Sequence, residues 1–172
     1  MWLTIGHINN SPISYQGVFS VPLKVDFPIL SRNDKHKTIP NIALFQARLF
    51  LNENAFQVLH PLLKDDGEFI PAISEQGSGY LFNPLRVAES VQALDLTLSK
   101  KNTWGHLENM AFHEEKLEGW NVFRSEFNAF MSLQCSDEFK QVIEVADLTG
   151  VYFTEELGNA AADKTIGSRS LN

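Results

Sequence analysis

The stretch Ser74–Ser99, SEQGSGYLFNPLRVAESVQALDLTLS, does most to limit what this chain can fold into. A Gly-Ser-Gly turn, an aromatic strand signal at Tyr80–Phe82 and an Asn-Pro break follow one another before an apolar run ending Ala93-Leu94-Asp95. Glycine and proline punctuate such runs into short pieces, so a long helix cannot cross this region. Phe69–Ile73 precedes the turn and reads as a strand, with Pro71 suited to a sheet edge because it lacks an N–H. Gly77–Gly79 reads as the bend after which Tyr80–Phe82 pairs back. Leu85–Leu98 reads as a helix or irregular turn followed by a strand through Leu94, Leu96 and Leu98.

The same reading extends outward. Val21, Leu23, Val25 and Phe27 alternate with polar residues, as a strand with one apolar face should. Ser31–Thr38 is polar throughout and reads as a loop. Ile42–Leu51 reads as one strand entering the core. Asn52 is a helix N-cap ahead of Phe56, Leu59 and Leu63, and Pro61 should end or distort that helix near His60. Lys64–Gly67 is a turn. His106–His113, Trp120–Glu126 and Phe127–Gln134 carry strand signals. Ser136 or Asp137 caps the clearest helix, in which Phe139, Val142, Ile143 and Ala146 form one stripe. Gly150 closes that segment, and Val151–Phe153 reads as a last strand. Residues 158–172 have little to bury and read as a flexible tail.

Strand signals outnumber helices, and there is no regular βαβ alternation. The expected architecture is a single α+β domain over residues 1–157, a mainly antiparallel sheet with a few short helices packed on it. A 172-residue chain buries roughly 70% of its unfolded surface, enough for a core without staples. The single Cys135 excludes an intrachain disulfide. Met1–His7 lacks the basic start and apolar run of a secretory signal, and no run approaches a membrane span, so the expected setting is the cytoplasm.

Charge is unevenly placed. Residues 1–50 hold five basic and two acidic residues, giving +3; residues 104–157 hold eleven acidic and three basic residues, giving −8. Phosphate-backbone binding needs clustered Lys and Arg, so nucleic acid is not the expected partner. A basic protein partner fits better. Trp104 and Trp120 flank the acidic run Glu108, Glu114, Glu115 and Glu118. Aromatics among carboxylates can anchor such a partner, because Trp supplies contact area and acids steer encounter. Equally, both indoles could pack in the core.

Motifs for chemistry fall short. His113-Glu114-Glu115 opens like a zinc-protease helix, but position 117 is Leu where the second His is needed. His106 and His113, seven apart, face opposite sides of a strand. Gly77-Ser78-Gly79 lacks the remainder of a dinucleotide or phosphate loop. Cys135 is followed by Asp137 and Glu138, which raise rather than lower a thiol pKa. No cofactor, metal site or catalytic set is expected. Two alternatives stay open: a hydrolase using His106 or His113 with a carboxylate, and a small-ligand adaptor whose Phe-rich strands line a cavity.

The order of segments resembles bacterial immunity proteins of polymorphic toxin systems, of the immunity protein 11 type. The matching pieces are Leu49-Phe50-Leu51 running into the 55–63 helix, Glu68-Phe69-Ile70-Pro71, and Tyr80-Leu81-Phe82-Asn83. Ala93-Leu94-Asp95 with Ser99, Val122-Phe123-Arg124, and Ser136–Lys140 through Leu148–Phe153 complete the series, so the likeness covers residues 48–157. It implies a non-enzymatic protein that binds a cognate toxin stoichiometrically and protects the producing cell. The recurring positions Phe69, Pro71, Tyr80, Asp95, Phe123 and Arg124 are then core, turn and buried-pair residues, with Asp95 and Arg124 a candidate ion pair.

Overall fold

A computed structural model describes residues 10–27, 39–75 and 77–155. The polar stretch 31–38 and the tail 158–172 lie outside the described residues. Five strands form the main sheet: β1 (Leu23–Lys24), β2 (Ile42–Leu44), β3 (Leu49–Asn52), β4 (Gly67–Ser74) and β5 (Gly77–Pro84), in the order β1-β4-β5-β3-β2. Every pairing is antiparallel except β1 with β4. Two helices, α1 (Glu53–Leu63) and α2 (Asp137–Val145), and several 3-10 turns complete an α+β domain. Two small ribbons sit beside it: β6 (Lys100–Lys101) with β7 (Leu107–Asn109), and β8 (Val122–Phe123) with β9 (Gln134–Cys135).

The sheet is covered on both faces, and period-2 alternation distributes its side chains between them. Leu49, Leu51 and Phe82 face α1 and α2, where they meet Ala55, Leu59, Leu63, Phe139 and Ile143. Phe50, Ile70, Ala72 and Leu81 face the other way, against Tyr15, Leu23, Val25 and Phe27. The unbroken apolar run Leu49-Phe50-Leu51 therefore marks a strand buried on both sides. A third cluster joins Ala88, Ala93 and Phe123 to Phe112, Leu117 and Trp120.

Caps act as their sequence suggests. Asn52 Oδ1 accepts from the Ala55 amide at 2.9 Å, and Ser136 Oγ from the Phe139 amide at 3.1 Å. Phe139 and Ile143 are buried and Val142 and Ala146 half-buried, which is the stripe expected of α2.

Several local expectations are corrected. Ile42–Leu51 is a hairpin of two strands: Gln46 and Ala47 both take positive φ, 51° and 55°, and reverse the chain without a glycine. The β4–β5 ladder closes at Ser74 opposite Gly77, so Gly77–Gly79 belongs to the strand and the turn lies upstream. Gly79 is needed for close approach: a Cβ there would lie 2.8 Å from the Phe50 ring. Pro61 does not stop α1, which runs on to Leu63, because in the last turn only one backbone bond is forfeited. β4 is not an outer strand, but β1 covers only Ala72 and Ile73, which leaves Pro71 on the uncovered part of its flank. β1 itself is two residues long.

Phe127–Gln134 is not a strand. A 3-10 turn at Glu126–Asn128 and left-handed Ala129 and Phe130 break it, and only Gln134–Cys135 pairs. Leu94 makes a single bridge to Phe112, while Leu96 and Leu98 point to solvent, so no strand forms there. Val151–Phe153 is irregular. In the second half, side-chain caps and turns satisfy the backbone where the sheet does in the first.

The halves are joined by buried polar groups. Asp66 is 1% exposed and its Oδ2 accepts from the amides of Asn121 and Val122 at 2.8 and 3.0 Å. Asn121 in turn donates to the Leu62 carbonyl and accepts from Ser136 Oγ, tying the end of α1 to the cap of α2. At the far edge, the Ile42 amide donates to the Thr149 carbonyl and the Thr149 amide to Asn41 Oδ1, both at 3.0 Å.

Candidate functional site

The β6–β7 ribbon presents the most exposed aromatic side chain among the described residues. Asn102 builds its tip: its Oδ1 accepts from the amides of Trp104 and His106, each at 2.9 Å, and its own amide donates to the His106 carbonyl. Gly105 supplies the positive φ, 81°, that the loop needs. Trp104 is left 82% exposed. An indole so placed buries little in the fold and keeps most of its apolar area for contact elsewhere.

The approach to the ribbon is apolar too. Asp95 Oδ1 accepts from the amides of Thr97 and Leu98 at 2.8 and 3.0 Å, a side-chain turn that holds this carboxyl below its usual range. The turn faces Leu96 and Leu98 outward, 77% and 55% exposed. Asn109 on β7 donates to the Leu98 carbonyl at 2.9 Å and fixes this turn against the ribbon. Alternation in the sequence suggests a strand through Leu96 and Leu98, whereas the Asp95 turn leaves both exposed.

The remaining sequence-derived candidates occupy different settings. Glu108 is exposed on β7; Glu114 and Glu115 are exposed on a 3-10 turn (Glu114–Lys116), and Glu118 is exposed after it. Trp120 is half-buried, packs edge-on to Phe123 at 6.1 Å and carries the Arg86 guanidinium 5.0 Å above its ring. Ten carboxylates between residues 104 and 155 are exposed, whereas of the three cations there Arg124 is buried and Lys140 half-buried. Burial of Arg124 makes the surface of this region more negative than the sequence sum.

Asp95 and Arg124 do not pair. Arg124 is fully buried and donates to the carbonyls of Asn10 and Ala47 and to Asn83 Oδ1, at 3.0, 2.6 and 3.0 Å. Burial and the nearby Arg48 pull its pKa down to about 10. Cys135 is exposed, but local desolvation of its thiol and the nearby Asp137 push its pKa up to about 11.

His113 Nδ1 lies 3.9 Å from Glu115 Oε1, and His106 is exposed on the β6–β7 tip. Among the described residues no three His, Cys, Asp or Glu side chains converge as metal ligands. A shallow depression of about 160 Å³ opens beside Phe50 and the start of α1, smaller than the roughly 300 Å³ at which ligand pockets begin. No described helix is long and apolar enough to cross a membrane. No family model matches the chain, and no curated protein matches it.

Proposed function

We propose that this protein is an immunity protein of a bacterial polymorphic toxin system. In this reading it works in the cytoplasm of the producing cell, where it binds a cognate, basic toxin one-to-one and occludes it. The exposed Trp104 on a braced ribbon carries the reading; Leu96 and Leu98 are exposed on the turn leading into that ribbon. Glu108 on the ribbon and Glu114 and Glu115 on the following turn are exposed carboxylates, with Lys100 and Lys101 exposed on the ribbon as well. An exposed Trp on a braced ribbon is the kind of aromatic anchor around which interface hot spots form. The order of sequence segments supports the same class.

A standard interface would bury roughly 1,600 Å² in total. Co-expression with the product of the adjacent toxin gene should rescue growth and yield a stable complex that survives gel filtration. Trp104→Ala should weaken that complex by at least about 2 kcal/mol, roughly 30-fold in Kd, with the melting temperature unchanged. Absence of both protection and complex would sink the proposal. A protected cell with full Trp104→Ala affinity would move the binding face elsewhere.

A further inference from the structure

The N-terminal segment Asn10–Phe19 lies across the sheet face opposite the helices, and polar groups hold most of it there. Tyr15 is half-buried against the Phe50 cluster, but Ile13, Val18 and Phe19 are 51%, 63% and 43% exposed. The attachments are polar and converge on one network. Glu68 accepts from Ser14 Oγ at 2.8 Å through Oε2, and from the Tyr15 amide at 2.7 Å through Oε1. Asn83, opposite Glu68 in the β4–β5 register, donates to Glu68 Oε1 at 2.8 Å and to the Ile13 carbonyl at 2.9 Å. Arg124 reaches the Asn10 carbonyl, and Arg48 reaches the Tyr15 hydroxyl at 3.3 Å with its guanidinium 5.5 Å from the ring centre.

This network is unusual in its charge balance. Arg48 and Arg124 are 6% and 0% exposed, and neither touches a carboxylate among the described residues. Among the described residues, Arg124 Nε has no hydrogen-bond partner. A buried cation is ordinarily neutralised or fully hydrogen-bonded. Here Glu68 is linked to Arg124 through the Asn83 amide, and the segment contributes the Asn10 carbonyl to the Arg124 guanidinium. Removing the segment would let water solvate both guanidinium groups, so its departure costs hydrogen bonds that water can replace and few apolar contacts.

We propose that Asn10–Phe19 is a clasp that opens as a unit while the sheet beneath it stays folded, with Glu68 as its latch. Opening converts a sealed guanidinium pair into a solvent-facing cationic groove. Segments with few buried apolar contacts open at free energies below that of global unfolding.

Amide hydrogen exchange on the full chain tests this. In the native protein the Tyr15 and Val18 amides should exchange at least about 100-fold faster than those of Leu81 and Phe82, as local opening requires. Glu68→Gln puts an NH₂ group where an acceptor stood, and should speed Tyr15 exchange by roughly 10- to 100-fold, the worth of a hydrogen bond to a charged group. Ser14→Ala lies on the clasp itself and leaves the sheet intact; it should speed the same amide by a few-fold. Equal protection of clasp and sheet in the native protein would overturn the proposal, as would sheet and clasp amides accelerating together in both variants. An unchanged Tyr15 rate in both variants would remove Glu68 as the latch.

Discussion

Replacing Asp66 by Ala should destabilise the fold strongly, whereas replacing it by Asn should leave it nearly unchanged. Asp66 Oδ2 takes both backbone bonds, from Asn121 and Val122, whereas Oδ1 has no hydrogen bond among the described residues and lies 3.7 Å from Arg86 Nε. Asp66→Ala leaves two amides without an acceptor. A buried orphan donor costs about 1–3 kcal/mol. Val122 is 1% exposed, so its amide loses about 2; Asn121 is half-buried, water can reach it, and about 1 is lost there. The sum is about 3 kcal/mol, or a fall in Tm of roughly 6–12 °C for a chain of this size.

Asp66→Asn retains an oxygen at the Oδ2 position and keeps both bonds. It forfeits the ion pair with Arg86, whose side chain is 40% exposed, a contact worth less than about 1 kcal/mol. It also removes a buried charge, since desolvation raises the Asp66 carboxyl above its usual 3.8. Its stability at pH 7 should lie within about 1 kcal/mol of the native protein. A raised acid pKa means the folded state binds the proton more tightly. The ionised group therefore costs stability above its folded pKa, and that cost fades as pH falls through it and is gone below 3.8. The native protein should accordingly gain on Asp66→Asn as pH is lowered through this window. Urea unfolding of the three proteins at pH 7 and at pH 4 measures all of this. An Asp66→Asn protein as unstable as Asp66→Ala, or an Asp66→Ala loss under about 0.5 kcal/mol, would refute the reasoning.

Two further outcomes can be checked. Gly79→Ala drives a methyl into the Phe50 ring and the Leu51 carbonyl, and should destabilise the fold by about 1–3 kcal/mol in chemical denaturation; a neutral result would show that the β3–β5 contact yields. Cys135 is exposed, yet local desolvation and Asp137 push its thiol up to about 11, so it should react with a disulfide reagent at pH 8 up to about 100-fold more slowly than free cysteine; a rate equal to free cysteine would show that its exposure prevails.

The first half of the chain was legible because its signals are redundant. Leu49-Phe50-Leu51 needs two covered faces, Asn52 caps at the expected distance, and the β4–β5 residues alternate in step with their register. The turn at Gln46–Ala47 was not, since neither residue prefers positive φ and tertiary contacts impose it: Arg124 holds the Ala47 carbonyl. The second half was misread for a related reason. Phe127, Ala129, Met131 and Leu133 alternate as a strand would, but the Glu89 carboxylate takes the amides of Glu126 and Phe127 and coils the chain there. Long-range side-chain acceptors leave no periodic trace. The same holds for the ribbon: Trp104 and Glu108 could be named from the sequence, but not the Asn102 brace that puts the indole in solvent.

The bond between Ile42 and Thr149 has a consequence in time. β2 pairs with β3 on one side, and on the other its Ile42 amide meets a carbonyl supplied by Thr149. During synthesis the β2–β3–β5 ladder can assemble as soon as residue 84 is available, whereas its flank waits for residue 149. At ordinary elongation rates, about 5–20 residues per second, that interval is on the order of several seconds. Throughout it the nascent sheet carries an uncapped strand edge, the feature most prone to pairing with another chain. Thr149 and its neighbours therefore act as a seal whose late arrival sets how long each new molecule is vulnerable to aggregation.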